Sequence, residues 1–586
     1  METILRKIEK DKNTVKTTKI VVNVGNVFSS IRGKPSIRAI NMIDKKLSYR
    51  MPGAEYSPHF RNGIWDGYIR FLTKKSGYYT FPTGFAVIVK KILKKTKVDY
   101  KVKDLRTKLV VSEKSIKKAV KKHKAIKPRQ YQINAAKKAL LKNYGIINIP
   151  TGTGKTLVLN IIMAAIDYQT DKKQNHLVVS SGISLLKQLQ TEIERFQGEQ
   201  VGFVGKGIWD RRRITVASID TLYRAMSFVS YSKKKSKVKV KNVKEKREKK
   251  DKAISLLSET NNLFLDEAHH APAKTFKSVM FKINAGVRIG TTATYLRKED
   301  EGGLLLRSVT GGVIFKRSIS WMIKKGYLAK PTIVLLEYNE NHKIQLTIDE
   351  EYRELMIRKN PKITTKQLKK AKLWNKLYAV AIANNDARNS VLAEALYEFW
   401  RKGLSTVLFV NELAQGEEIK SKAITFGIKE KEIMFLSGRD DTDTIRIPAL
   451  KMFRQGEIRT LVSTRILGEG IDFPEANGGI RGGGQLFEGN IIQQLGRVLR
   501  KVKPSLSKDI NRKKEQRVIW LDLLDLHHKI LADHSLERIR VYESEEMFNV
   551  KFIKSISELR GILDEESKKT TFIKRKNKKI SGKTKK

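Results

Sequence analysis

The chain has 586 residues, with 119 Lys and Arg against 60 Asp and Glu, for a formal net charge of +59. An excess of that size repels itself unless a polyanion offsets it, so nucleic acid is the expected partner, with general lysine enrichment as the plainer alternative. There is no cysteine, which excludes disulfides and thiolate metal sites and allows an intracellular protein. No apolar run approaches the roughly 18 residues of a membrane span and the N-terminus has no signal-peptide core, so a soluble chain of roughly three to four domains is expected, with no membrane partner.

Residues 1–125 carry no nucleotide motif. The alternating stretch 18–24, TKIVVNV, predicts a strand, and 36–49, SIRAINMIDKKLSY, has helical apolar spacing. The aromatic and glycine-rich stretch 53–85 predicts short strands and tight turns. Tyr68, Arg70, Tyr78 and Tyr79 are candidates for stacking on bases or following phosphates, although the aromatics of a small β-rich domain more often form its core. A lysine-rich run at 112–126 then leads to Pro128, which marks a helix start. Gln132 is a candidate adenine reader, since its amide offers one donor and one acceptor; a plain polar residue of the first helical turn is the alternative.

The stretch 146–156, IINIPTGTGKT, reads as a buried strand running into a loop that ends in Gly154-Lys155-Thr156. Gly152, Thr153 and Gly154 let backbone N–H groups close around phosphate oxygens, Lys155 reaches the β- and γ-phosphates, and the Thr156 hydroxyl ligates Mg²⁺. The helix expected next, with LVLNIIMAAI as its apolar face, aims its positive end at the phosphates. A strand at 176–181, a helix at 185–196 and a strand–turn pair at 213–222 continue the alternation, which implies a parallel sheet with function at the carboxyl ends of its strands. The run 232–252 is expected to be a solvated, charged loop that adds at most a non-specific phosphate tether.

At 261–270, NNLFLDEAHH, an apolar strand delivers Asp266 and Glu267 to its carboxyl end. Asp266 is the candidate Mg²⁺ residue and Glu267 the base that orients and deprotonates the attacking water, with His269 coupling the site to a moving domain. RIGTTATY at 288–295 ends a further strand in hydroxyls, of which Thr292 and Thr294 are candidates for linking nucleotide state to a second domain. Residues 318–331 read as a helix, a glycine stop and an extended linker, the first plausible hinge.

The second half repeats the strand–helix alternation without a phosphate loop. A charged helical region at 345–383 leads to NNDARNSVLAEALYEFW (384–400), a helix is expected from near Ala414, and strands are expected at 406–410, 431–438 and within 456–476. Thr464 and Arg465 suit holding a nucleic-acid backbone, and Gly470 and Asp472 suit facing the nucleotide. In NIIQQLGRVLR (490–500), Gln493, Gly496, Arg497 and Arg500 have helical spacing, and the two arginines share one face suited to a γ-phosphate; a surface cationic helix is the alternative. A strand at 517–525 closes this region. Asp525, His527, His528 and His534 do not complete a metal-ligand set. Residues 568–586 hold ten Lys and Arg and no acid, and read as a disordered basic tail.

In order, PRQYQ, PTGTGKT, DEAHH, TTAT, STRILGEGID and QQLGRVLR resemble the superfamily 2 helicase core over about 126–525. Ile149, where the general phosphate-loop pattern has its first glycine, fits the shorter P-T-G-T-G-K-T form typical of that superfamily. The resemblance implies an α/β fold of two RecA-like parallel-sheet lobes with ATP in the cleft and Mg²⁺ alongside, and a small N-terminal α+β accessory domain. Domains are accordingly expected at 1–125, 126–330 and 331–525, with a C-terminal extension at 526–586. It also implies that Gln132, Gly152, Thr153, Gly154, Lys155, Thr156, Asp266 and Glu267 act from the first lobe, and Gly470, Asp472, Arg497 and Arg500 from the second. The segment GIWDGYIRF…FPTGF further resembles the accessory domain of phage UvsW-type recombination helicases; the insertion at 232–252 and the basic tail depart from that family. The expected activity is ATP-dependent remodelling of branched or double-stranded DNA with single-strand tracking, in a bacterial host's cytoplasm. RNA as substrate, a motor subunit of a restriction or repair complex, and an ATP-switched nucleic-acid binder stay open as alternatives, as do protein partners.

Overall fold

Alternating burial along Ile20–Val24 (β1), with Ile20, Val22 and Val24 inside, begins a five-stranded sheet. The other strands are Phe28–Arg32 (β2), Thr73–Lys75 (β3), Tyr78–Pro82 (β4) and Tyr100–Asp104 (β5), in the order β3-β4-β2-β1-β5. The computed structural model describes residues 20–51, 54, 57–123, 126–180, 183–227, 240–266, 273–293, 301–339, 377–437, 443–464, 473, 475–485, 488–500 and 517–566. Helices Ile37–Lys46 (α1), capped by the Ser36 hydroxyl, and Ala86–Lys95 (α2) pack with this sheet. The core takes Phe71, Phe81 and Phe85, with the Phe71 and Phe85 rings 5.1 Å apart, so these aromatics serve packing. Tyr68 stays 41% exposed on a small antiparallel ribbon, and Arg70 is tied to Asp44 and Asp66.

This N-terminal region does not stand apart from residues nearer the middle of the chain. Its apolar cluster includes Leu304 and Leu305, the Phe28 and Phe281 rings lie 5.2 Å apart, and a Cβ on Gly84 would strike the Arg307 and Ser308 carbonyls. One compact unit therefore comprises Met1–Ile149 with Gly154–Lys316, and the other Pro150–Thr153 with Arg317–Lys586.

The first unit continues through helices Glu113–Lys121 (α3) and Gln130–Lys142 (α4) into an eight-stranded sheet. Its elements in chain order are Tyr144–Asn148 (β6), Lys155–Thr170 (α5), His176–Ser180 (β7), Ile183–Gln197 (α6), Gly202–Gly205 (β8), Ile208–Asp210 (β9), Ile214–Ser218 (β10), Ile219–Met226 (α7), Val240–Ser258 (α8), Asn262–Asp266 (β11), Ala273–Met280 (α9), Val287–Thr292 (β12), Glu301–Thr310 (α10) and Val313–Lys316 (β13). The strand order is β9-β8-β10-β7-β11-β12-β6-β13, parallel throughout except for the β8–β9 hairpin. Every residue from Val158 to Asp167 of α5 is buried, so this helix is covered on all sides rather than along the single apolar face expected.

The run expected as a solvated loop at 232–252 is corrected over its second half: 240–258 is helical. Ala253, Leu256 and Leu257 anchor that helix in the core, and Glu245 pairs with Lys249 one turn on, so local support and packing outweigh the charge run. Residues 228–239 lie outside the described residues.

The second unit holds a seven-stranded, wholly parallel sheet. Its elements are Ile319–Lys324 (α11), Lys330–Tyr338 (β14), Asp386–Arg401 (α12), Thr406–Phe409 (β15), Leu413–Thr425 (α13), Ile433–Leu436 (β16), Asp443–Gln455 (α14), Thr460–Ser463 (β17), Gly478–Arg481 (β18), Glu488–Val498 (α15), Arg517–Asp525 (β19), Lys529–Glu543 (α16) and Asn549–Ile553 (β20), in the order β16-β17-β15-β18-β19-β14-β20. Two expectations change. Helix α11 and the left-handed Gly326 match the helix and glycine stop expected at 318–331, but the chain beyond them enters the long strand β14, hydrogen-bonded on both sides, and the compact unit that holds the phosphate-loop helix ends at Lys316 rather than 330. The sheet also does not close at 525: β20 pairs with β14, so 526–553 belongs to the lobe. The tail beyond 566 and most of 345–383 lie outside the described residues. Among the described residues, no helix is long and apolar enough to cross a membrane.

Candidate functional site

Strand β6 is buried along its whole length and hands the chain to the loop before α5. Gly152 and Gly154 adopt φ of 79° and 85°, left-handed values that side-chain-bearing residues rarely take, and Gly154 caps α5 with Lys155 as its first helical residue. The Thr153 hydroxyl, 1% exposed, donates to the Pro150 carbonyl at 2.6 Å and closes the turn from within. This places Lys155 and Thr156 in the first turn of a sixteen-residue helix, whose positive dipole end favours an anion.

Gln132 is buried at 4% exposure. Its Oε1 accepts from the Arg129 N–H at 2.7 Å, and its Nε2 lies so close to Gly154 that a Cβ there would overlap it. One edge of the expected adenine-reading amide is therefore engaged by the chain's own backbone, and the other lies against the phosphate loop.

Three neighbouring parallel strands bring the remaining first-unit residues to one sheet edge. Asn148 is in register with Thr292, and the Ile149 N–H donates to the Thr292 carbonyl at 3.2 Å. Thr291 is in register with Asp266, and its hydroxyl donates to Asp266 Oδ1 at 2.6 Å. With strands about 4.8 Å apart, Asp266 and the start of the phosphate loop stand about 10 Å from each other across β12. Asp266 is 4% exposed, and its carboxylate and the Thr156 hydroxyl are each of the oxygen type that Mg²⁺ prefers. Sequence reasoning does not single out Thr291. The signal lies in the paired hydroxyls of T-T-A-T, but strand parity must be known to choose between them.

In the second unit, Thr464 follows β17, with its N–H bonded to the Leu436 carbonyl at 3.2 Å. Gln493 and Arg497 lie on α15, 6% and 5% exposed. Arg500 differs from expectation: α15 ends at Val498, and Arg500 sits beyond it in a bridge to Leu328, so the two arginines do not share one helical face. Glu267, His269, Thr294, Arg465, Gly470 and Asp472 lie outside the described residues.

A buried network not foreseen from sequence holds the approach to α15. Arg388 Nη1 donates to the Gly482 carbonyl at 2.7 Å, Arg538 Nη1 to that of Gly484 at 3.2 Å, and Arg481 to that of Gln485. Asp525 bonds Arg388 at 2.6 Å, and Asp522 accepts from Arg538 at 3.1 Å and from the Tyr542 hydroxyl at 2.8 Å. Burial alone would push the Arg388 pKa down, but the Asp525 carboxylate outweighs it and keeps the guanidinium charged. A Cβ on Gly484 would come 2.9 Å from Asp525 Oδ2, so the turn between β18 and α15 is threaded between these groups. His527 and His528 have local roles here: the His527 ring packs edge-on to Tyr338 at 5.2 Å, and His528 Nδ1 caps α16 by accepting from the Ile530 N–H.

Comparison with known proteins adds two family matches. Residues 125–297 match the family described as type III restriction enzyme, res subunit, and residues 388–502 match the helicase conserved C-terminal domain. Among curated proteins, the chain is 27% identical over 437 residues to the DNA 3'-5' translocase XPB2 of Sulfurisphaera tokodaii, covering 71% of this chain and 84% of that protein. It is 22% identical over 554 residues to the ATP-dependent DNA helicase uvsW of Enterobacteria phage T4, covering 89% and 97%. The crystal structure of T4 UvsW aligns over 92% of this chain and 99% of that one, at 18% identity and a TM-score of 0.40.

Proposed function

From a chain that is a superfamily 2 helicase, resembles UvsW and hydrolyses ATP, we propose a motor that acts on DNA and remodels branched DNA by fork regression, branch migration, or unwinding and annealing. The observation that carries the ATP-driven part is the alignment of Asn148, Thr292, Thr291 and Asp266 at one sheet edge beside the loop capped by Gly154. The DNA part draws on the net charge of +59 and on relatives named as a DNA translocase and an ATP-dependent DNA helicase.

In this reading the N–H groups of 152–154 and Lys155 hold the triphosphate. Thr156 and Asp266 are the residues that would hold Mg²⁺, which, when bound, neutralises charge on the transferred phosphoryl group. Glu267 orients and deprotonates the attacking water, Gly470 and Asp472 face the nucleotide from the second lobe, and Arg497 and Arg500 stabilise charge on the γ-phosphate in the ATP-bound state. Gln132 braces the phosphate loop and contributes to nucleotide binding. Alternating affinity of the two lobes for one strand converts each hydrolysis cycle into a step. The N-terminal region selects the substrate, and the place of action we assign is the cytoplasm of an infected cell, by likeness to the phage relative.

The test is steady-state ATP hydrolysis without nucleic acid, with single-stranded DNA, with a four-way DNA junction, and with matched RNA. Strongest stimulation by the junction is the expected result. Preference for RNA would transfer the same site to an RNA motor, and no stimulation by any of them would reject a nucleic-acid-driven motor acting alone.

A further inference from the structure

Helix α3 sits at the far end of α5 from the phosphate loop. Its inner face is Ser115, Ile116 and Ala119, all buried, and the Gln169 side chain of α5 accepts from the Ser112 N–H at 2.9 Å and from the Ser115 hydroxyl at 3.2 Å. Tyr168 is thirteen residues beyond Lys155, about 20 Å along the helix axis at 1.5 Å per residue. The place is thus well removed from the carboxyl edge of the sheet, where the hydrolytic residues gather.

The outer side of this junction is a recess lined by Lys114, Lys117, Lys118, Lys121, Lys122 and Tyr168. Among the described residues, no carboxylate lines it. The acids around it are engaged elsewhere: Glu113 with Lys137 at 2.9 Å, Asp167 with Arg213 at 2.6 Å, and Glu199 with Arg213 at 2.7 Å. Lys122 donates to Gln197 Oε1 at 2.8 Å, and Lys118 Nζ stands 5.8 Å from the centre of the Tyr168 ring. Lys114, Lys117 and Lys121 make no hydrogen bond or ion pair among the described residues. Three unmatched lysines beside two tethered ones form a built cationic surface that no described carboxylate neutralises.

We propose that this recess is a second nucleic-acid contact, binding the phosphate backbone of duplex DNA away from the ATP site and anchoring the motor to the arm it does not track. Charge complementarity argues for it. Lys114 to Lys121 spans about 10 Å of helix, and a duplex carries one phosphate per about 1.7 Å of its axis with both strands counted, so about six phosphates lie along that length, on all sides of the duplex. Backbone contacts of this kind position a protein without reading sequence, which suits an anchor. The proposal rests on the DNA reading above.

The experiment uses the full chain carrying K114Q/K117Q/K118Q/K121Q, with the corresponding four-fold Lys→Arg variant as control, and measures affinity for a short blunt duplex over a series of salt concentrations. Four lost phosphate contacts should flatten the slope of log K against log salt by about 3.6, at about 0.9 per contact, and weaken binding at low salt by more than tenfold. The Arg variant should bind as the parent does, and hydrolysis without nucleic acid should be unchanged in both, since these exposed side chains support neither the fold nor the ATP site. Parent-like affinity and slope in the Gln variant would overturn the proposal, as would a parent with no salt-dependent duplex binding. Junction stimulation of the parent's hydrolysis judges the functional reading separately: a parent that binds duplex but is not stimulated fails that reading alone.

Discussion

The Thr291 hydroxyl donates a 2.6 Å hydrogen bond to Asp266 Oδ1 from the paired position on the neighbouring strand. The bond commits one carboxylate oxygen to the protein and restricts the side chain to one orientation. A hydrogen bond to a charged group contributes about 1.5–3 kcal/mol, so Thr291→Ala should lower kcat for ATP hydrolysis by about tenfold to a hundredfold with a much smaller change in KM. Thr291→Ser keeps the hydroxyl and should recover most of the loss. Equal kcat in all three proteins would mean that Asp266 is positioned by other means.

Lys155→Ala and Glu267→Gln should each abolish hydrolysis while leaving DNA affinity near that of the parent, because neither residue is assigned to the nucleic-acid surface. Loss of at least a hundredfold in turnover is expected for each, in line with the charge stabilisation and water activation removed. Retained turnover in both variants, read in the same steady-state assay, would remove the assignment of the phosphate loop and its base.

Gly154 lacks a side chain for two reasons that can be separated. Its φ of 85° costs an L-residue about 1–2 kcal/mol, and a Cβ would collide with Gln132 Nε2. Gly154→Ala should therefore weaken nucleotide binding, measured with a fluorescent ATP analogue. Gln132→Ala removes the collision but also a contributor to binding, so Gly154→Ala is compared in the parent and in a Gln132→Ala background, where it should cost less affinity. No cost in the Gln132→Ala background would leave the backbone conformation without a role, and an equal cost in both would leave the contact without one.

Acid sensitivity of the first unit should centre on Arg213. Burial alone would raise the Asp167 pKa, but hydrogen bonds and charge from His176 and Arg213 outweigh it and hold the carboxyl below its ordinary value; Glu199 is held low by Arg213 against the same burial effect. A depressed carboxylate pKa gives stability that is complete above the unfolded value, about 4, and is lost as pH falls through the folded one. Arg213→Gln leaves the buried Asp167 carboxylate with His176 alone and should lower stability near neutrality and move the acid unfolding transition to higher pH. Circular dichroism from about pH 6 down to about pH 2 reads this directly; superimposable transitions for parent and variant would refute it.

The phosphate loop is legible in the sequence because strand, turn and helix start lie in one short run whose glycines, lysine and threonine each have a local reason. Asp266 is legible for a similar cause, an apolar strand that ends abruptly in acid. What escapes depends on partners distant in the chain. Nothing local to Lys330–Tyr338 says that it lies between strands that begin at Arg517 and Asn549, far downstream, and an extended stretch after a glycine stop reads equally well as a linker. Arg388, Arg481 and Arg538 read as surface charge until Asp522 and Asp525 of β19 are brought among them, since burial is what distinguishes a structural arginine from a solvated one. The helix at 240–258 is hidden by its composition: three apolar residues near its end, Ala253, Leu256 and Leu257, decide its conformation against a long charged run.

The placement of β14 between β19 and β20 has a consequence for biosynthesis. The first unit has all its strands once residue 316 has been made, whereas the second holds an early strand that waits for both neighbours, the later of which ends at Ile553. At about 5–20 residues per second, the roughly 237 residues between those points take about 12–47 s to synthesise. During that interval a nascent chain exposes the nonpolar flanks of β14 while its phosphate loop is already complete, so chaperone engagement and any nucleotide binding by the emerging polypeptide belong to the same window.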